Sequence, residues 1–276
     1  MMHKARLNRL FSADGRCVNI AVDHGFFGEY SFLFGIENMP KVIPDLAESK
    51  PDAIQLSLGM ANLLQSIQGK AKPSLVLRVD TANIYGNEVP QYPFNKVIAR
   101  AVEQALIVDA ASICVNLFQL SGHPEVHAQC VDNINKLKPE CERYGMPLMV
   151  EPLVFQPNAM GGGYMIDGDI QKIMTNVRQA VELGADIIKA DPCHEIREYH
   201  RVIEVACGCP VLVRGGSKAP EEEILQRTQE LMSEGVAGIV YGRNVIQHRN
   251  PAKMLKSLMA LVHYGETVEQ ALRMLE

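Results

Sequence analysis

The chain predicts an α/β fold: a single (β/α)8 TIM barrel spanning residues 1–276, with an additional C-terminal helix. Three observations predict it. Short β-branched runs alternate with amphipathic helical stretches almost throughout, eight times over. The runs are apolar on both faces, as parallel strands covered by helices should be. A chain of 276 residues with no dividing linker also suits one barrel, which commonly runs to about 250 residues. A doubly wound open sheet is the competing architecture, but it leaves roughly two strands unplaced.

The strand candidates, in order, are residues 18–23, 53–57, 74–80, 112–117, 147–153, 185–190, 210–216 and 237–242. Between them, residues 93–109, 124–145, 169–184 and 219–235 carry apolar side chains at three- and four-residue spacing, the mark of helices. Gly184 and Gly235 follow two of these directly before a strand, as helix C-caps do. Two long loops follow strands three and five: residues 81–93 and the glycine-rich 155–168. In a barrel both lie at the C-terminal mouth, where active sites sit. The tail, residues 265–276, reads as a final amphipathic helix outside the repeat.

Composition narrows the function classes. The net charge of −5 gives no electrostatic footprint for nucleic acid or an anionic membrane. No apolar run approaches the ~18 residues that span a bilayer, and the polar N-terminus lacks the apolar stretch of a signal peptide. Seven cysteines without framework spacing suit reduced thiols in a cytoplasmic protein.

The lysine of "ADIIKADP" raises the chemical question. Ala185, Ile187 and Lys189 share one strand face, so an inward Lys189 points into the mouth. A desolvated lysine loses proton affinity and becomes a nucleophilic amine, able to form a Schiff base with a carbonyl. The plainer alternative is a lysine reaching out to solvent or paired with Asp191. Other strand ends bear on the choice. Strand one ends in Asp23-His24-Gly25, and strand five carries Glu151, a carboxylate that needs a partner if buried. Paired with Lys189, Glu151 would suit proton transfer; a structural salt bridge is the competing account. Arg78 and Asp80, Asn116, and Gln55 with Ser57 add polar groups that also occur as satisfied pairs inside barrels. The turns after strands seven and eight, "VRGGSK" and "YGRNVIQ", bring Gly215, Gly216, Ser217, Gly242 and Arg243. Glycine lets backbone N–H groups approach an anion, a helix start adds positive potential, and TIM barrels often bind phosphate at these two loops.

Together, Asp23-His24-Gly25, "GADIIKADP", "VRGGSK" and "GRNVIQ" resemble the class I, Schiff-base aldolase family of (β/α)8 barrels. That family includes archaeal-type fructose-bisphosphate, tagatose-bisphosphate and sulfofructose-phosphate aldolases. The resemblance covers nearly the whole chain in strand order. It implies Lys189 as the Schiff-base lysine and Asp23 as the acid assisting at the iminium and the substrate hydroxyls. It also implies a phosphate held by Gly215, Gly216, Ser217, Gly242 and Arg243. His24, Gln55, Arg78 and Asn116 complete the expected substrate-binding set. One departure is informative. Archaeal-type fructose-bisphosphate aldolases use a strand-five tyrosine as proton donor, whereas this chain has "VEPLVFQP", which resembles the branches that use a glutamate. The proton work therefore falls to Glu151, and fructose 1,6-bisphosphate is in doubt as substrate. Tyr164 in the glycine-rich loop is a weaker candidate.

The implied enzyme is a metal-independent aldehyde-lyase with no cofactor. Its partner is a phosphorylated sugar or ketone, and it releases a ketone such as dihydroxyacetone phosphate and an aldehyde. Three rivals stay open. Acyl-transfer or transaldol chemistry on a phosphorylated diketone or sugar would use the same lysine. A non-catalytic phosphosugar sensor would keep only the phosphate turns. A metal enzyme would need ligand clusters, and neither His123 with His127 nor "HEIREYH" supplies a full set. The aromatic loop of residues 26–35 suits closure over substrate or packing in a homo-oligomer.

Overall fold

The computed structural model describes residues 4–69 and 71–276, so the first three residues of the polar N-terminus lie outside the described residues. Eight parallel strands form the barrel: β1 (Cys17–Ala21), β2 (Ala53–Ser57), β3 (Ser74–Arg78), β4 (Ser112–Leu120), β5 (Leu148–Pro157), β6 (Ile187–Ala190), β7 (Val211–Arg214) and β8 (Gly238–Tyr241). Each pairs with the next, and β8 pairs back onto β1 with Cys17 opposite Gly238, which closes the sheet. The longest ladder joins β4 to β5, from Ile113 opposite Leu148 to Leu120 opposite Phe155.

Seven helices lie between consecutive strands: α1 (Met39–Glu48), α2 (Ala61–Gln65), α3 (Ala101–Ile107), α4 (Pro124–Tyr144), α5 (Ile170–Glu182), α6 (His200–Val205) and α7 (Glu221–Ser233). After β8 come a single turn, α8 (Arg243–Ile246), the covering helix α9 (Pro251–Met259) and the C-terminal helix α10 (Val268–Arg273). Local chemistry sets the ends. Asp169 caps α5 by accepting from the Gln171 and Lys172 N–H groups at 2.9 and 3.1 Å. Pro124 opens α4, and Gly145, in the left-handed region, ends it.

Alternation along the strands sorts side chains into two apolar regions. Cys17, Ala53, Val76, Met149, Ile187 and Leu212 meet inside the barrel, where Leu10 from the N-terminal turn plugs the floor. Their neighbours, such as Val18, Ile54, Leu75, Ile188 and Val213, pack outward among the helices. The barrel is thus a filled core, with its largest buried charged cluster at one end. On the floor, His263 is clamped between two carboxylates: Nδ1 lies 2.8 Å from Asp14 and Nε2 2.9 Å from Asp52.

The helix expected over 93–109 is shorter. Asn95–Val97 instead pairs antiparallel with Asp80–Ala82, and the helix begins at Ala101 after Arg100 takes a left-handed φ of 54°. The apolar residues there satisfy both periods over a short span. The arbiter is Asn95, whose side chain donates to Asp80 at 2.6 Å and accepts from Asn133 at 2.7 Å. The strand expected over 74–80 accordingly breaks after Arg78. In the loop after β5, Gly162 and Gly163 have φ of 74° and 63°, and a Cβ on either would strike the Asn87 or Gly86 carbonyl at 2.2 or 2.1 Å. Only glycine allows the two mouth loops to meet backbone to backbone.

Candidate active site

On β6 the inward positions continue from Ile187 through Lys189 to Asp191, which brings a lysine and a carboxylate to the mouth. Lys189 is only 4% exposed. Its Nζ lies 2.9 Å from Glu151 Oε2 on neighbouring β5 and 3.5 Å from Gln55 Oε1 on β2. Glu151 is also bound by two guanidiniums. Arg214 Nε from the end of β7 donates to Oε1 at 2.8 Å, and Arg78 from the end of β3 donates to Oε2. Arg78 reaches Asp23 at 2.8 Å and Asp80 at 3.2 Å as well, and Arg214 reaches Asp191 at 2.7 Å. Isolated buried charges cost several kcal/mol each, so this network persists because nearly every charge meets opposite charges on two sides.

The network separates the carboxylates. Burial alone would raise the Glu151 carboxyl, but Lys189, Arg78 and Arg214 overcome it and hold the group far below the usual carboxylate range. Asp23, buried yet facing Arg78 and Lys189, is also lowered. Asp191 goes the other way: its burial and the nearby Glu151 charge outweigh the pull of Arg214. His24 is driven down to about 4, first by burial and then by Arg243, Lys189 and Arg214, so its imidazole is neutral at pH 7. The Cys114 thiol, buried beside Glu151, is pushed up to about 12 and stays protonated.

These groups open onto a cavity of about 540 Å³ at the C-terminal mouth. One end is built by the turns after β7 and β8. Gly215, Gly216, Ser217, Gly242 and Arg243 all line it. Gly242 has no room for a side chain, because a Cβ would sit 2.4 Å from the His24 ring and 2.9 Å from the Ala21 carbonyl. Asn244 ties the two turns together: its Nδ2 donates to the Gly215 and Ser217 carbonyls at 2.9 and 3.2 Å, and its Oδ1 accepts from the Ala219 N–H. Arg243 donates to the Gly216 carbonyl at 3.0 Å and stacks over Phe32, 5.3 Å from the ring centre. The helix expected after β8 is one turn long, so the positive potential of this end rests on Arg243 and on glycine backbone rather than on a helix dipole. The other end is an aromatic wall, with Tyr85 packed against Phe27, Phe32 and Phe155 at 4.9, 5.2 and 6.0 Å between ring centres.

Residues 17–248 match the model of the DeoC/LacD family aldolases. The chain belongs to that family. It is an aldolase, an enzyme of the lyase class. An uncharacterized aldolase of Saccharolobus solfataricus is 30% identical over 274 residues, covering 98% of each chain. A 3-hydroxy-5-phosphonooxypentane-2,4-dione thiolase of Photorhabdus laumondii is 30% identical over 271 residues, 97% of this chain and 84% of that protein. Among solved structures, an archaeal fructose 1,6-bisphosphate aldolase superposes with a TM-score of 0.78 at 24% identity, covering 95% of this chain and 99% of that one, which shows a common fold.

Of the residues expected at the site of this aldolase, Lys189, Glu151, Asp23, His24, Arg78 and the five turn residues line the cavity. Gln55 and Asn116 do not. Gln55 donates to Asp23 at 2.7 Å from beneath, and Asn116 donates to Asp80 at 2.8 Å, so both brace charged residues from behind. Tyr164 reaches the cavity edge, but its hydroxyl donates to the Ser121 carbonyl at 3.0 Å. Sequence reasoning passed over Arg214, although strand parity places it on the inward face with Leu212, and it weighed Asp191 only as a partner for the lysine. No group of three or more His, Cys, Asp or Glu among the described residues is placed to hold a metal ion.

Proposed function

We propose that this aldolase acts through a Schiff base on Lys189, cleaving or forming a carbon–carbon bond in a ketose that carries a phosphate. The observation that carries this reading is the placement of a buried lysine, bridged to a carboxylate at 2.9 Å, in the same cavity as the Gly215–Ser217 and Gly242–Arg243 turns. In this reading the turns and Arg243 hold the phosphate, and Lys189 attacks the ketone. Forming the carbinolamine removes the lysine's charge, which is one of the three cations holding Glu151 ionised. The proton affinity of Glu151 rises at the stage where a proton must reach the departing hydroxyl. Asp23, fixed by Arg78 and Gln55, orients substrate hydroxyls. A base in the cavity takes the proton of the hydroxyl on the β carbon, the bond between the α and β carbons breaks, and its electrons pass into the iminium to give an enamine. An aldehyde leaves, and protonation and hydrolysis of the enamine free the ketone and Lys189. Borohydride reduction in the presence of dihydroxyacetone phosphate tests the reading: it should leave a covalent mass increase on Lys189, absent in Lys189→Ala.

A second reading keeps the lysine and changes the acceptor. Relatives about 30% identical along nearly the whole chain are named as thiolases of a phosphorylated diketone, which supports acyl transfer from such a substrate. Supplying that diketone with and without a thiol acceptor separates the two readings by their products.

Two wider features belong to the same proposal. Tyr30 and Phe34 meet edge to face, 5.5 Å between ring centres, while 75% and 48% exposed, which favours assembly with another copy; light scattering of wild type against Tyr30→Ser tests this. All seven cysteines are free, six of them buried, which suits a reducing cytoplasm. No helix among the described residues is long and apolar enough to cross a membrane.

A further inference from the structure

Asp191 stands apart from the other carboxylates of the cavity. It follows Lys189 by two residues on the inward face and is 2% exposed. Its Oδ1 accepts from Arg214 at 2.7 Å, and its backbone carbonyl accepts from the Tyr199 hydroxyl at 3.0 Å. Backbone and side chain are therefore fixed. Its other oxygen, Oδ2, is buried and accepts no hydrogen bond from any described residue, while Asp191 as a residue borders the cavity beside Lys189 and Pro192, so a small shift of the side chain on substrate binding would bring it to a ligand. Such an oxygen is costly unless a partner arrives, and the cavity is where a substrate hydroxyl arrives. Glu151 has both oxygens occupied by cations, whereas Asp23 takes both of its donors on Oδ2, faces no described donor with Oδ1, and is held ionised by Arg78 and Lys189 despite its burial.

We propose that Asp191 is a catalytic acid–base group of this aldolase, taking the hydroxyl proton of the breaking bond and returning it to the enamine carbon. The inference rests on the Schiff-base reading above and deepens it. In the iminium stage, Asp191 Oδ2 accepts the proton of the hydroxyl on the far carbon. The O–H electron pair becomes the second bond of the aldehyde carbonyl, and the carbon–carbon pair becomes the enamine double bond. The iminium π pair returns to the lysine nitrogen. After the aldehyde leaves, the protonated Asp191 delivers the same proton to the enamine carbon, and water hydrolyses the iminium to free Lys189. The raised proton affinity of Asp191 suits both halves of this cycle. Glu151 is left with the carbinolamine steps.

The test uses dihydroxyacetone phosphate and the whole chain in deuterium oxide. Wild type should trap a borohydride adduct on Lys189 and exchange the ketone's enolisable hydrogen for deuterium. Asp191→Asn keeps an acceptor for Arg214. It should still trap the adduct, while deuterium exchange falls about 100-fold. Adding formate to Asp191→Ala should return at least about tenfold of the lost exchange, a recovery that a merely structural role would not give. Exchange in Asp191→Asn within about threefold of wild type, with the adduct intact, would sink this assignment alone. An Asp191→Asn protein that traps no adduct would also overturn it, since Asp191 would then be serving the lysine. Wild type without an adduct would remove the Schiff-base reading and this inference with it.

Discussion

Glu151 faces Lys189 with one carboxylate oxygen, at 2.9 Å, and Arg214 with the other, at 2.8 Å. The lysine's partner is thus also held by Arg214 two strands along on β7 and by Arg78 on β3, so its position does not depend on the lysine staying charged. This relationship sets the first expectation. Glu151→Gln leaves Arg78, Lys189 and Arg214 facing one another with an anion removed. Removing one partner from a buried pair costs about 3–5 kcal/mol, and losing an acid–base group lowers turnover about 10²–10⁴-fold. Thermal unfolding and turnover should fall together. A variant as stable as wild type would show that the carboxylate is not holding the cations in place.

Arg243 is the cation at the end of the cavity proposed to hold the phosphate. Arg243→Ala should raise KM for a phosphorylated ketone about 10–100-fold, from the loss of a charge-assisted hydrogen bond, and should leave unphosphorylated dihydroxyacetone little affected. Equal loss with both ketones would place the phosphate elsewhere.

The four cations that line the cavity, Arg78, Lys189, Arg214 and Arg243, all come from strand ends or the turn after β8. Among the described residues, the opposite wall is contributed by Phe27, Glu29, Phe32, Tyr85 and Asn87 from loops and Phe155 from the end of β5, with no lysine or arginine. An aldehyde half without a phosphate should therefore be favoured. With the ketone fixed, glyceraldehyde should exceed glyceraldehyde 3-phosphate in kcat/KM by at least about tenfold, set by one unpaired phosphate against an apolar wall. The reverse preference would require a second anion site.

At the barrel floor, the two carboxylates beside His263 raise its proton affinity above the ordinary value of 6.5, the hydrogen bond to Asp52 contributing most. Asp14 is lowered, its burial being outweighed by Arg16 and His263. The histidine's contribution to stability is therefore complete below about pH 6.5 and is lost as pH rises through its folded value. That of Asp14 is present above its unfolded value near 4 and is lost as pH falls through its lower folded value. His263→Asn should destabilise by about 1–3 kcal/mol near pH 5.5 and by progressively less at alkaline pH. Denaturant midpoints across pH 5–9 check this, and a constant difference would mean that the ring acts by shape alone.

All eight strands were legible because each is an apolar run ended by a polar or glycine signal, and burial on both faces leaves no other use for such runs. Lys189 and Glu151 were legible for the same reason: a charge interrupts a run that burial explains. The turns after β7 and β8 carried their own glycine signature. Arg214 was hidden inside one of those signatures, where the glycines drew the chemical argument and parity went unused. The pairing of Asn95–Val97 with Asp80–Ala82 was not legible, because it depends on a side-chain hydrogen bond to a distant aspartate rather than on periodicity. Gln55 and Asn116 were found as polar strand residues, but one-dimensional spacing does not say whether a side chain meets the substrate or a neighbour beneath it. The mouth loops close by backbone contact at Gly86–Asn87 and Gly162–Gly163, which follows from two segments meeting in space.

The ladder between β4 and β5 runs for eight residue pairs, whereas β1 and β2 share three and β5 and β6 share two. The rim is therefore stiffest where β4 meets β5 and softer at the β5–β6 and β1–β2 joins. Thermal opening, substrate admission and product escape should favour the flank where β1 gives way to the short helical turns of residues 24–33, with the tall β4–β5 wall acting as the fixed jaw. Amide protons of Val115–Leu120 should outlast those of the β1 exit by orders of magnitude in exchange.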